Sequence, residues 1–197
     1  QTPWDVAADG TSPTGLAYVP IYNRKVFIMG RTELFATNPI EDQAATLNCV
    51  GSNGRPVTIN IPAGAIPEDY RPAVVSCSAL PVVEVPQSDL MWAGQAFRIN
   101  VEQSGARIEG LEFAEPLALT VGYRDEDLGG AKPEQLELRL QTGGIGNPVW
   151  ETQGVAMTTY NQDAKTIEAT VTYAGAYAVV GPHAGGAWLP LILRYAP

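Results

Sequence analysis

The run Leu136-Glu137-Leu138-Arg139-Leu140 alternates apolar and charged residues without a break. Successive side chains of a strand point to opposite faces, so this spacing puts three leucines on one face and both charges on the other. A helix would scatter the same leucines around its axis. The run therefore predicts a half-buried β-strand. Val57-Thr58-Ile59-Asn60-Ile61 and Phe97-Arg98-Ile99-Asn100-Val101 repeat the pattern, as does Ile167-Glu168-Ala169-Thr170-Val171-Thr172-Tyr173. Leu117, Leu119, Val121 and Tyr123 line one face of a further strand. Residues 176–180 are more continuously apolar and read as a central strand. Weaker strands are expected at 26–29, 45–50, 73–77, 82–85, 149–152 and 156–160.

Glycine, proline and asparagine punctuate these runs at Ser52-Asn53-Gly54, Gly129-Gly130, Gly143-Gly144 and Gly146-Asn147-Pro148. Glycine reaches positive φ and proline fixes φ, so each marks a reversal. Helical periodicity is confined to short candidates around 125–128 and 133–135. Many short strands with regular turns mean a sandwich or a barrel. We expect an all-β chain, an antiparallel β-sandwich of about eight to ten strands, with short extended N- and C-terminal arms. The sandwich is assigned to residues 46–181. Residues 1–45 are read as an arm with edge strands, and 182–197 as a linker with an apolar tail. Tyr18-Val19-Pro20-Ile21-Tyr22-Asn23-Arg24 and Trp188-Leu189-Pro190-Leu191-Ile192-Leu193-Arg194 share one pattern. That echo suggests two edge strands lying side by side.

Composition narrows the function. The 197 residues carry a net charge of −9, and their twelve Lys and Arg form no run. Phosphate backbones and anionic membranes select clustered basic side chains. Nucleic acid is therefore not an expected partner, nor is an anionic membrane surface. No apolar stretch approaches the roughly 18 residues of a transmembrane helix. The chain starts at Gln1 with no charged and apolar leader. It reads as the mature part of an exported protein, secreted or on the cell surface; a trimmed piece of a longer chain would look the same.

The two cysteines are Cys49 and Cys77. They are read either as two buried thiols or as one disulfide between segments 45–50 and 73–80, which could pair as strands. A bridge would close a loop worth roughly 3–4 kcal/mol in the chain-entropy model. It would also fit an oxidising compartment.

Three places resemble the β-sandwich domain shared by zona-occludens proteins, ankyrins and netrin receptors of the uncoordinated type. Bacterial surface proteins carry divergent relatives. The places are Val57–Ala65 with its Ile61-Pro62-Ala63-Gly64-Ala65 ending, the Phe113-Ala114-Glu115-Pro116 step into a strand, and the closing run of Trp150, 167–171 and Gly175-Ala176-Tyr177-Ala178-Val179. The resemblance implies a sandwich in which Trp150 and Tyr177 fill the space between the sheets. Some members of that family cut themselves at a His-Phe-Ser step in the final hairpin. The matching Tyr173-Ala174-Gly175 has neither the His nor the Ser, so that route lacks its nucleophile. The tail 188–194 looks like the endings of exported proteins from some filamentous bacteria.

No constellation for catalysis stands out. The carboxylates gather at Glu41-Asp42, Glu68-Asp69 and Asp125-Glu126-Asp127, which read as solvated turns. Asp125-x-Asp127-x-Gly129 faintly resembles a calcium loop but lacks the bidentate Glu. A serine triad would need His183, the one histidine, between Pro182 and a glycine-rich run. No catalytic, metal or cofactor-binding residue is assigned, and no cofactor is expected. Among the tryptophans, Trp92 is the candidate for an exposed binding surface. The sequence thus favours a structural or interaction module outside the cell, without catalytic activity, whose partner is a protein or a surface polysaccharide. The alternatives are a carbohydrate-binding module and a self-processing domain that has lost its nucleophile.

Overall fold

Each alternating run becomes a strand. The computed structural model describes residues 15–21, 24–30, 34–80, 89–128, 131–143 and 148–182, with backbone alone for 15–21, 24–30, 34, 157 and 158. In chain order the strands are β1 (Gly15–Ile21), β2 (Arg24–Gly30), β3 (Leu34–Ala36), β4 (Ala45–Val50), β5 (Pro56–Ile61), β6 (Val74–Ala79) and β7 (Leu90–Gln103). They continue with β8 (Ala106–Ile108), β9 (Glu112–Gly122), β10 (Glu137–Thr142), β11 (Val149–Glu151), β12 (Val155–Asn161), β13 (Thr166–Tyr173) and β14 (Gly175–Pro182). The two helix candidates are single 3-10 turns, Asp125–Asp127 and Pro133–Gln135.

The fold is an antiparallel sandwich. One sheet runs β11-β10-β14-β7-β6-β3, with β8 added to β7, and the other runs β12-β13-β9-β5-β4. The seven and five strands exceed the expected eight to ten, because three-residue pieces such as β3, β8 and β11 extend the first sheet. Such pieces are too short to show a period. β7 is 14 residues long, far beyond the run 97–101, since Gly94 and Gln95 interrupt its alternation. The sandwich also begins before residue 46. β3 pairs with β6, and Ile40, bridged to Ala73, is 3% exposed in the core. β1 pairs with β2 in a separate two-stranded sheet. The expected strand at 82–85 and the tail 188–194 lie outside the described residues.

Inward-facing residues of both sheets build one core. Val57, Ile59 and Ile61 of β5 and Leu117, Leu119 and Val121 of β9 meet Phe97, Ile99 and Val101 of β7 and Tyr177 and Val179 of β14. The Phe97 and Tyr177 rings stack with centroids 5.7 Å apart, an arrangement favourable beyond the area it buries. Trp150 lies elsewhere. It packs with Ala96, Ala178 and Val180, the residues that alternate with Phe97, Tyr177 and Val179. A strand sends neighbouring side chains to opposite faces. Trp150 therefore covers the outer face of the first sheet and does not fill the space between the sheets.

The cysteines join the two layers. Cys49 of β4 and Cys77 of β6 form a disulfide, and both are almost fully buried in the core. Side-by-side pairing of segments 45–50 and 73–80, which the sequence allowed, does not occur. Instead β4 pairs with β5 and β6 with β7 and β3, and the sulfur bridge crosses from sheet to sheet.

At one end of the sandwich the link is polar. Gln95 of β7 is fully buried and its Nε2 donates to Arg55 O at 3.3 Å, in the β4–β5 turn, and to Gly122 O at 3.0 Å, at the end of β9 in the second sheet. Ser52, in the β4–β5 turn, donates from Oγ to Gly94 O at 2.9 Å and accepts from Ala96 N at 2.7 Å. It thereby completes the edge of β7 beyond the end of β6. Gly51 makes room for this amide: a Cβ there would lie 2.0 Å from Gln95 Oε1.

Tyr177 pins the last hairpin by donating its hydroxyl to Tyr173 O. Burial raises its pKa well above that of an ordinary phenol. The folded chain therefore keeps a proton that the unfolded chain releases near pH 10. Stability is full below that pH and falls above it. Tyr177→Phe should cost about 1 kcal/mol at neutral pH and flatten the alkaline fall, as read by urea unfolding between pH 7 and 11. Replacing both cysteines by Ala should cost roughly 3–4 kcal/mol. The same urea titration measures it, and intact mass with and without reductant confirms the bridge in the unchanged chain.

Candidate functional site

The first sheet ends raggedly. β11 covers only Leu140–Thr142 of β10. Beyond Glu151 the chain leaves that edge and turns through Thr152-Gln153-Gly154 into β12, at the edge of the other sheet. The turn is closed by Val155 N donating to Thr152 O at 3.0 Å. Gly154 makes it feasible, with φ at +66° and the Tyr173 ring 2.5 Å from where its Cβ would stand. Among the described residues no strand covers Glu137–Arg139 on the side that β11 vacates; β14 holds the other side.

A lateral cleft of about 450 Å³ opens there, lined by Leu136, Leu138, Val155 and Tyr160 and by the polar Glu134, Glu137, Thr152 and Thr159. Its floor is the core itself, since Leu136 and Leu138 are buried. Tyr160 is paired opposite Ile167 and so faces inward like it, yet it is 43% exposed. The first sheet does not extend far enough to cover it. At the mouth, the Glu137 carboxylate accepts from Arg139 Nη2 at 2.7 Å. Glu134 is exposed and has no ion pair among the described residues. Nearby, burial and then the negative charge of Asp125 and Glu134 raise the Tyr123 pKa, against the opposite pull of Lys165. The cleft thus joins an apolar floor, an exposed aromatic ring, an unpaired carboxylate and a free strand edge. A second groove, lined by Ala44, Ala45, Ile61, Pro62, Pro116 and Ala118 among others, carries neither an aromatic nor a charge.

The residues singled out from sequence fall outside this cleft. Trp92 is half-buried on the outer face of the first sheet against the Trp150 cluster, and its Nε1 is buried without a partner. It packs against the cluster that holds Leu90 and Val180. Cys49 and Cys77 are interior. Asp125 pairs with Lys165, whereas Asp127 turns against Gly94 with Oδ2 buried and unpartnered. The two carboxylates of the faint calcium pattern therefore meet different neighbours. Among the described residues no group of three or more His, Cys, Asp or Glu could hold a metal ion. Glu41, Glu68 and Asp69 are exposed, and Asp42 pairs with Arg71 at 3.1 Å. Tyr173-Ala174-Gly175 is the tight β13–β14 connection, with Ala174 N bonded to Leu111 O at 2.8 Å. His183 lies outside the described residues.

Sequence reasoning missed Tyr160 and Glu134. Tyr160 sat in a weak alternating run and Glu134 in a short turn, which is also how ordinary edge residues read. No protein-family model matches the chain, and no curated protein sequence does. Among the described residues no helix is long and apolar enough to cross a membrane.

Glu134 is exposed, so Glu134→Lys should change the unfolding free energy by less than about 0.5 kcal/mol, whereas Tyr160→Ala removes a part-buried strand ring and should cost about 1–2 kcal/mol. Gly154→Ala should cost roughly 1–3 kcal/mol through overpacking against Tyr173. Urea titrations of the three variants check both statements.

Proposed function

We propose that this chain is a non-catalytic interaction module that works outside the cell, secreted or at a cell surface, and holds its partner in the lateral cleft. The observation that carries the reading is the cleft: inward-facing Tyr160 left uncovered beside a free strand edge, an apolar floor and an unpaired Glu134. A well-ordered sandwich with a ragged edge is a rigid frame for a binding groove. The buried disulfide between the sheets is consistent with an oxidising compartment. The carboxylates Asp42, Glu109, Glu126, Glu137 and Asp125 are engaged in surface ion pairs.

A carbohydrate-binding module is the second reading. What favours it is the exposed Tyr160 ring with carboxylate neighbours. The platform would then be Tyr160 and not Trp92.

The test is affinity capture from the extracellular fraction with three baits: the unchanged chain, the double variant Tyr160→Ala/Glu134→Lys, and Glu68→Lys on a remote exposed turn. The expected result is one partner held by the first and third baits and lost by the second. Equal capture by all three would place the binding surface elsewhere and overturn the cleft.

A further inference from the structure

We propose that the cleft takes an extended peptide bearing a Lys or Arg side chain, which adds as a strand to the free edge of β10 at Glu137–Arg139. The inference rests on the cleft reading above and names its partner class.

Among the described residues two free edges border the cleft. β12 is the end strand of its sheet, but its register shifts between Met157 and Thr159. Such a bulge twists an edge away from regular pairing. β10 shows no break: Glu137 to Leu140 pair in strict sequence with Val180 to Tyr177 on the opposite side. Its vacated side therefore offers the main-chain donors and acceptors of the alternate residues that do not bond to β14. β11 already pairs antiparallel in that line, from Leu140 to Thr142. A peptide at Glu137–Arg139 would continue the line where β11 turns away. At about 3.3 Å per residue, roughly three residues fill the space.

The side-chain chemistry follows from the walls. In an added strand, alternate residues face the two sides. Those facing inward meet Leu136, Leu138, Val155 and the Tyr160 ring, which favours an apolar residue. At the mouth stands Glu134, whose carboxylate has no ion pair among the described residues, in a chain whose net charge is −9. Glu137 is already matched by Arg139, so one additional cation satisfies the site. An acidic peptide would face repulsion. A sugar would use the Tyr160 face and the Thr hydroxyls but leave the row of β10 backbone groups unmatched, and Thr159 Oγ1 is already directed to Tyr160 O at 3.4 Å.

The probe is a phage-displayed library of random heptapeptides, panned on the full, disulfide-bonded chain. The expected result is enrichment of sequences alternating apolar residues with at least one Lys or Arg. An enriched peptide, made synthetically, should shift the amide resonances of Glu137, Leu138 and Arg139. Glu134→Lys and Tyr160→Ala should each weaken it about tenfold. Enriched peptides that lack a basic residue, or that bind both variants unchanged, would overturn the proposal. So would an absence of enrichment. In that last case, millimolar cello- and chito-oligosaccharides separate the two layers of the argument: shifts at Tyr160 keep the cleft and replace the peptide by a sugar, and no shifts there remove the cleft as well.

Discussion

One buried amide ties the ends of the two sheets together. Gln95 points into the sandwich from β7 at the place where the apolar core gives out, and it donates to carbonyls of Arg55 and Gly122 in the opposite layer. A buried carbonyl without a donor costs about 1–3 kcal/mol, so this end of the sandwich closes only with the amide in place. The neighbouring features follow from it. Gly51 has no side chain because the amide occupies that space, and Ser52 supplies the hydrogen bonds that β7 lacks once β6 has ended. The disulfide makes a second, covalent tie between the same layers. Between them the apolar residues of β5, β7, β9 and β14 pack without further polar help.

The lateral edge bounded by β10 and β12 is built differently. There the sheets differ in extent, since β11 follows β10 for three residues and then crosses to the other layer at Gly154. The strand position beyond the crossing is vacant among the described residues. Leu136 and Leu138 are still shielded enough to belong to the core, but Tyr160 is left 43% exposed. The cleft is thus a consequence of topology: an edge was left short, and the apolar interior shows through it. The cleft lies two strands from the Gln95 tie, since Tyr160 runs in register with Ile167 and Val121, next to Gly122.

Much of the architecture was legible. The runs at 57–61, 117–123, 136–140 and 167–173 gave strands with the correct inward faces, because a period of two is a local property. Val149–Glu151 and Val155–Asn161 were found with small shifts in their ends. Where local pattern was weak, reading failed. Leu34–Ala36 and Ala106–Ile108 are too short for alternation to register. The first half of β7 carries a glycine and a buried glutamine in place of alternating apolar residues. Trp150 was assigned to the space between the sheets because large aromatics usually fill it, yet the pairing of Trp150 with Gln141 turns it to the outer face.

The sequence by itself determined that this chain is an antiparallel all-β sandwich and which side chains of each strong strand face inward. Both follow from the spacing of neighbours along the chain. Only the tertiary structure decided what lies opposite each inward face. Cys49 and Cys77 were two β-segment cysteines until the layers were stacked; then they became a bridge across the core. Tyr160 was one more inward aromatic until the first sheet stopped short of it. Periodicity fixes direction within a strand, whereas covering depends on where distant strands end. That is set by pairing and crossing between segments far apart in the chain.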